Sequence, residues 1–238
     1  MSGHSKWASI KHKKAAIDAK RGQLYTKLIK ELTVSAKDGG SNPETNTKLR
    51  NSIDRAKSLG MPWDNIDRAI KRGTGELPGV IYETIIYEGY GPAGVAIMVE
   101  ALTDNKNRAS AEIRNIFSKK NGNMAGSGSV SWLFQKKGYI LVDKTQVKED
   151  DLMTVVLEAG AEDLKSDDEK NFEVFTKPVD LEAVKKALEN KKIKFESAEV
   201  TMIPTTTVKV TGSDAKLLLD LVESLEEHED VQNVYANF

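Results

Sequence analysis

The sequence predicts an α+β, multidomain protein: an N-terminal three-helix domain followed by two α+β domains, one inserted in the other. Two observations carry this expectation. Apolar residues recur at helical spacing as far as Gly75, then give way to short β-branched and aromatic runs alternating with helices. The charge changes with the pattern: residues 1–75 hold 16 basic and 7 acidic groups, and residues 76–238 hold 19 basic and 29 acidic ones. A chain of 238 residues accommodates two or three small domains with cores of their own. The expected boundaries are 1–75 for a basic helical domain, 76–134 plus 204–238 for a split α+β domain, and 135–203 for an inserted acidic α+β domain.

The first helix is expected to start near Ala15 or Ala16, because Leu24, Leu28 and Leu32 recur every four residues beside Tyr25, Ile29 and Ala36. Lys27 and Lys30 lie off that stripe and Lys20 at its margin, so all three are expected to face water or phosphate. Asp38-Gly39-Gly40 ends the helix. Asn42-Pro43 offers a cap and a first-turn proline for a second helix, with Leu49, Ile53 and Ala56 inside and Gly60 at its end. Pro62 opens a third, with Ile66, Ala69 and Ile70 inward and Lys71-Arg72-Gly73 at its close. Helices this short need one another to be stable.

Beyond Gly73-Thr74-Gly75 the reading turns to strands. Tyr82 to Tyr87 and Gly94 to Leu102 are expected strands around a turn at Glu88–Pro92, followed by a helix over Asn107–Lys119 and a Gly- and Ser-rich loop over Asn121–Ser129. Gly138–Val142, Asn171–Thr176 and Glu196–Met202 read as strands, and Asp150–Ala159 and Leu181–Leu188 as helices. Glu162-Asp163 and Asp167-Asp168-Glu169 read as an acidic surface turn. The tail reads as a strand over Thr205–Val210, a Leu-rich helix over Asp214–Glu226 and a strand over Val231–Ala236. Residues 80–120 and the tail each hold too few elements to close a core, so they are expected to complete each other. Three domains packed in sequence are the alternative.

Composition narrows the function. The chain has no Cys, which excludes disulfides and thiolate chemistry. No stretch approaches a membrane span and no secretory signal opens the chain, so a soluble cytoplasmic protein without a membrane partner is expected. His4, His12 and His228 have no metal-ligand spacing, and no cofactor is expected. Acidic runs such as Asp150-Asp151 and Glu226-Glu227 read as solvated faces, so neither catalysis nor a small-molecule substrate is expected.

The charge that remains to be explained lies at the start. Residues 1–30 carry seven Lys and one Arg against one Asp. A short segment of such density can neutralise several phosphates and draw its affinity from released counterions. The candidate nucleic-acid-binding residues are Lys6, Lys11, His12, Lys13, Lys14, Lys20, Arg21, Lys27 and Lys30. Trp7 can anchor the segment on its own protein or stack on a base. Gly126, Ser127, Gly128 and Ser129 form a candidate backbone-contact loop, since successive amides can make an anion nest. The loop lacks the Gly-Lys-Ser/Thr ending of a nucleotide P-loop and does not follow a strand.

Several segments together resemble the YebC/PmpR family, whose mitochondrial relative is the translational activator of cytochrome c oxidase. They are Met1-Ser2-Gly3-His4-Ser5-Lys6-Trp7 with Ile10-Lys11-His12-Lys13-Lys14, Asn65-Ile66-Asp67-Arg68-Ala69-Ile70, Tyr87-Glu88-Gly89-Tyr90-Gly91-Pro92 with Ala101-Leu102-Thr103-Asp104-Asn105, and Gly128-Ser129-Val130-Ser131-Trp132. Ala93 and Ala125 depart from the pattern, which has Gly at those places. The resemblance implies three domains with the last inserted into the middle one, and a non-enzymatic regulator of gene expression. It implies either a ribosome-associated translation factor that relieves stalling at proline-rich stretches, with ribosomal RNA and the ribosome as partners, or a transcriptional regulator on promoter DNA. A protein-interaction scaffold built on the acidic body is the reading from a different class. A monomer is expected.

Overall fold

The structure is a computed structural model that describes residues 21–238. The expected start of the first helix lies outside them. In chain order the N-terminal elements are α1 (Arg21–Gly39), α2 (Thr47–Ser58) and α3 (Trp63–Gly73). Next come β1 (Glu83–Tyr90), β2 (Ala96–Thr103), α4 (Lys106–Lys119) and β3 (Asn123–Ala125). Then follow β4 (Phe134–Asp143), α5 (Glu149–Glu158), β5 (Ala161–Lys165), β6 (Asn171–Thr176), α6 (Leu181–Asn190) and β7 (Ser197–Pro204). The chain ends with α7 (Gly212–Glu226) and β8 (Val231–Ala236). A helical region thus precedes two regions built on mixed sheets and helices. The described residues group into two compact units: residues 21–129 with 212–234, and residues 130–211 with 235–238.

In the first unit, Leu28, Leu32 and Ala36 of α1 meet Leu49, Ile53 and Ala56 of α2 and Ile66, Ala69 and Ile70 of α3 in one buried cluster. The apolar stripes read from the sequence are therefore the faces that pack. Gly73 shows how closely α1 and α3 approach: a Cβ there would stand 2.2 Å from the Thr33 carbonyl oxygen. The second helix begins at Thr47, not at Pro43. Asn46 caps it, accepting from the Leu49 amide at 3.1 Å and donating to the Ser35 and Gly40 carbonyls at 2.7 and 2.9 Å. Asn42 instead turns the chain, accepting from the Glu44 amide at 2.9 Å.

The first sheet has strand order β3-β1-β2-β8. It takes its fourth strand from the C-terminal end; α4 and α7 contact each other, and each has a buried side, Ala109, Ile113 and Phe117 on α4 and Leu218, Leu221 and Leu225 on α7. β1 runs through Glu88, Gly89 and Tyr90, which were expected to turn. Gly89 pairs with Met124 of β3, and a Cβ on it would meet Phe117 at 2.8 Å. Ala93 has φ 58°, in the left-handed region that favours glycine, so an alanine there costs about 1–2 kcal/mol of backbone strain.

The second unit holds a sheet of order β5-β6-β4-β7, antiparallel throughout. Ile140, Val142, Phe172 and Val174 pack with Leu152 and Val156 of α5 and Val184 and Leu188 of α6. Two expectations are corrected here. Glu162-Asp163, read as part of an acidic surface turn, lies in the edge strand β5. Thr205–Val210, read as a strand, forms none, although the Val208 amide donates to the Asn237 carbonyl at 2.7 Å.

Candidate nucleic-acid interface

Of the candidate basic residues, Lys6, Lys11, His12, Lys13, Lys14 and Lys20 lie outside the described residues, as do Trp7 and the side chain of Arg21. Lys27 and Lys30 lie inside them, and both are turned away from a free phosphate-facing role. Lys30 is only 6% exposed. Its ammonium donates to Asp230 Oδ1 and, at 3.1 Å, to the Glu229 carbonyl. The expectation that Lys30 faces water is therefore corrected. A polar residue beside the apolar stripe has been enclosed by the loop that follows α7.

Asp230 is the centre of this enclosure. It is fully buried, and its Oδ2 accepts from Thr103 Oγ1 and from Arg108 Nη2, each at 2.9 Å. Burial by itself pushes the Asp230 carboxyl up. The hydrogen bonds from Lys30, Arg108 and Thr103 outweigh burial and hold it below the usual carboxylate range. The Asp230 amide donates to His228 Nδ1 at 3.1 Å, so the neutral ring carries its proton on Nε2, 2.9 Å from Glu112 Oε2. His228 is thus engaged on both nitrogens within the protein.

Lys27 donates to the Glu226 carbonyl at 2.6 Å. Desolvation brings its pKa down to about 8, against the attraction of Glu226 and with the help of Lys30 and Arg55. Its folded value lies below its unfolded value, so the unfolded chain holds more protons between pH 8 and about 10.5, and this group makes stability rise with pH across that window. In an NMR titration of the lysine side-chain carbons, the Lys27 signal is expected to have its midpoint near 8. A midpoint near 10.4, the ordinary value, would show that the ammonium is not desolvated.

The candidate loop is shorter than the sequence suggests, because Asn123–Ala125 is strand. Gly128 donates its amide to the buried carboxylate of Glu88 at 2.7 Å, and Tyr90 donates its hydroxyl to the Ser129 carbonyl at 3.1 Å. The Gly128 amide of the expected anion nest therefore already holds an anion, supplied by β1. Gly126 and Ser127 are exposed, and the Gly126 carbonyl accepts from the Ser129 amide at 3.3 Å.

Sequence reasoning missed an exposed group on the helical region. Trp63, the first residue of α3, is 55% exposed, and the Lys57 ammonium sits 5.4 Å from its ring centre. Its spacing matches Ile66 and Ile70, which are buried, so periodicity gives no sign that it faces out. Between residues 47 and 73 the chain holds seven basic and three acidic groups. Lys48, Arg50, Arg68 and Arg72 form no ion pair among the described residues.

Elsewhere the perturbed groups are structural. Buried Glu173 accepts from the Tyr139 hydroxyl at 2.7 Å; burial pushes both groups up, and the hydrogen bond only partly offsets this for Glu173. Among the described residues no group of three or more His, Asp or Glu could hold a metal ion, and no helix is long and apolar enough to cross a membrane.

Comparison with known proteins gives this architecture a family. The TACO1/YebC N-terminal domain matches residues 5–76, and the TACO1/YebC second and third domain matches residues 82–238. A "Probable transcriptional regulatory protein" of Natranaerobius thermophilus is 56% identical over 241 residues, covering 100% of this chain and 96% of that one. One from Geobacter sulfurreducens is 56% identical over 238 residues, with the same coverage of each chain. The crystal structure of a conserved hypothetical protein from Aquifex aeolicus superposes with a TM-score of 0.84 at 48% identity, covering 98% of this chain and 96% of that one. The chain belongs to the TACO1/YebC family.

Proposed function

We propose that the protein is a non-enzymatic, nucleic-acid-binding regulator of gene expression that works on the ribosome, with structured ribosomal RNA as its main partner and relief of stalling at proline-rich stretches as its task. The observation that carries this reading is the segregation of charge. Six of the eight basic residues in the first 30 fall within residues 1–21, ahead of the helical core, and residues 76–238 are net acidic. Such a segment can enter an RNA groove while acidic surfaces meet basic ribosomal proteins. Within 1–30 Lys outnumbers Arg seven to one, a balance suited to phosphate rather than to bidentate reading of bases.

One observation favours a second reading, a transcriptional regulator on promoter DNA, which is also what the names of the bacterial relatives say of those proteins. α2 and α3 are joined by only residues 59–62, with Gly60 at φ 75°, the short glycine-bearing connection of a helix-turn-helix. By contrast, residues 40–46 separate α1 from α2, too long a break for that motif. The test compares purified full-length protein on ribosomes, promoter duplex and scrambled duplex at about 150 mM salt. Co-sedimentation with ribosomes and equal, weak binding to the two duplexes is the expected result. Tight binding that a scrambled sequence abolishes, with no ribosome co-sedimentation, would replace the first reading by the second.

A further inference from the structure

We infer that Trp63 and Lys57 form a stacking platform for an unpaired nucleobase, a site that deepens the nucleic-acid reading above and rests on it. Trp63 takes no part in the core of the helical region, which is built from α1, α2 and the Ile66, Ala69 and Ile70 side of α3. The chain has only three Trp, and it places this one on the surface at the turn between α2 and α3. Lys57 holds its ammonium 5.4 Å from the ring centre. That cation steadies the indole and adds positive charge at the same point, so one ring can stack on a base while its neighbour attracts the adjoining phosphate.

The surroundings favour a base over a protein. A protein-docking patch needs several apolar side chains together. Trp63 is the one large apolar residue of α2 and α3 that is strongly exposed, and the stretch from 47 to 73 that carries it holds seven basic and three acidic residues. An aromatic face with a cation beside it, on a basic stretch of chain, is what single-stranded nucleic acid uses without regard to sequence.

The test uses the full chain, a uridine decamer and an abasic decamer with the same phosphates. A Trp7→Phe/Trp132→Phe variant leaves Trp63 as the only indole. Its fluorescence is expected to be quenched by the uridine decamer and not by the abasic one. Trp63→Ala is expected to weaken decamer binding by about five- to a hundredfold, Trp63→Phe much less, and neither should change binding to the abasic strand. Equal decamer affinity in wild type and Trp63→Ala would overturn the platform while leaving the nucleic-acid reading intact. So would an equal loss on both strands, which would assign the effect to charge or folding. A loss seen only on intact ribosomes would assign Trp63 to a protein contact and overturn the platform as well. If the wild type binds neither decamer nor ribosomes nor duplex, both readings fail together.

Discussion

Asp230→Ala is expected to destabilise the first unit by about 3–5 kcal/mol, read as a lower urea midpoint with an unchanged slope. The magnitude follows from what is left behind. Among the described residues Asp230 is the only carboxylate that pairs with Lys30, and Lys30 is itself almost fully enclosed. Without the carboxylate a buried ammonium keeps the Glu229 carbonyl and loses its counter-charge. Thr103 and Arg108 also lose an acceptor, although Arg108 keeps Asp104 at 3.0 Å. Lys30→Met should cost less, because Asp230 retains Thr103 and Arg108. Acid offers an independent check. The folded carboxyl lies below its unfolded value, so its contribution is complete above about pH 4 and is lost as pH falls through the folded value. The Asp230→Ala protein should therefore lose less stability than wild type on acidification below pH 4. Equal acid sensitivity, or a loss under about 1 kcal/mol, would mean that the pair is solvated as a surface ion pair is.

That network also shows where the sequence stopped being informative. The helical stripes were legible because Leu28, Leu32 and Ala36 obey a local period. Lys30 lies off that stripe, a position that predicts contact with water, yet a loop 200 residues away encloses it. No pattern within α1 reports that contact. The start of α2 was misplaced for a similar reason: both Asn42 and Asn46 have the chemistry of a cap, and only Asn46 also reaches carbonyls at the end of α1 and just beyond it. Glu162-Asp163 reads as a turn because an edge strand with three of its five residues exposed has no need of apolar alternation. β1 was cut short at Glu88-Gly89, a pair that reads as a turn until Phe117 and the β3 backbone are seen to need a residue without a side chain. The candidate site was legible as a density of charge. Which charges are spoken for within the fold required the tertiary partners: it removed Lys30, constrained Lys27, and filled the Gly128 amide with Glu88.

Changing Lys11, Lys13 and Lys14 together to Ala is expected to weaken binding to ribosomal RNA by roughly a hundred- to five-hundredfold at 0.1 M salt. Three cations within four residues focus potential on one place. Each phosphate contact contributes roughly 0.7–0.9 to the slope of log affinity against log salt, which is also roughly 0.7–0.9 of a decade in affinity at 0.1 M. Three contacts therefore remove roughly two to three units of slope, and the deficit should shrink as salt approaches 1 M. The matched control is Lys186, Lys191 and Lys194 to Ala, which changes net charge by the same amount at exposed positions of the second unit. If binding depended on overall charge alone, the two triple variants would lose affinity alike. A large loss and a reduced slope confined to the first triple would assign phosphate contact to the N-terminal segment. An unchanged slope in the first triple would remove these three lysines from the interface and leave the helical surface around Lys57 and Trp63 as the place to look.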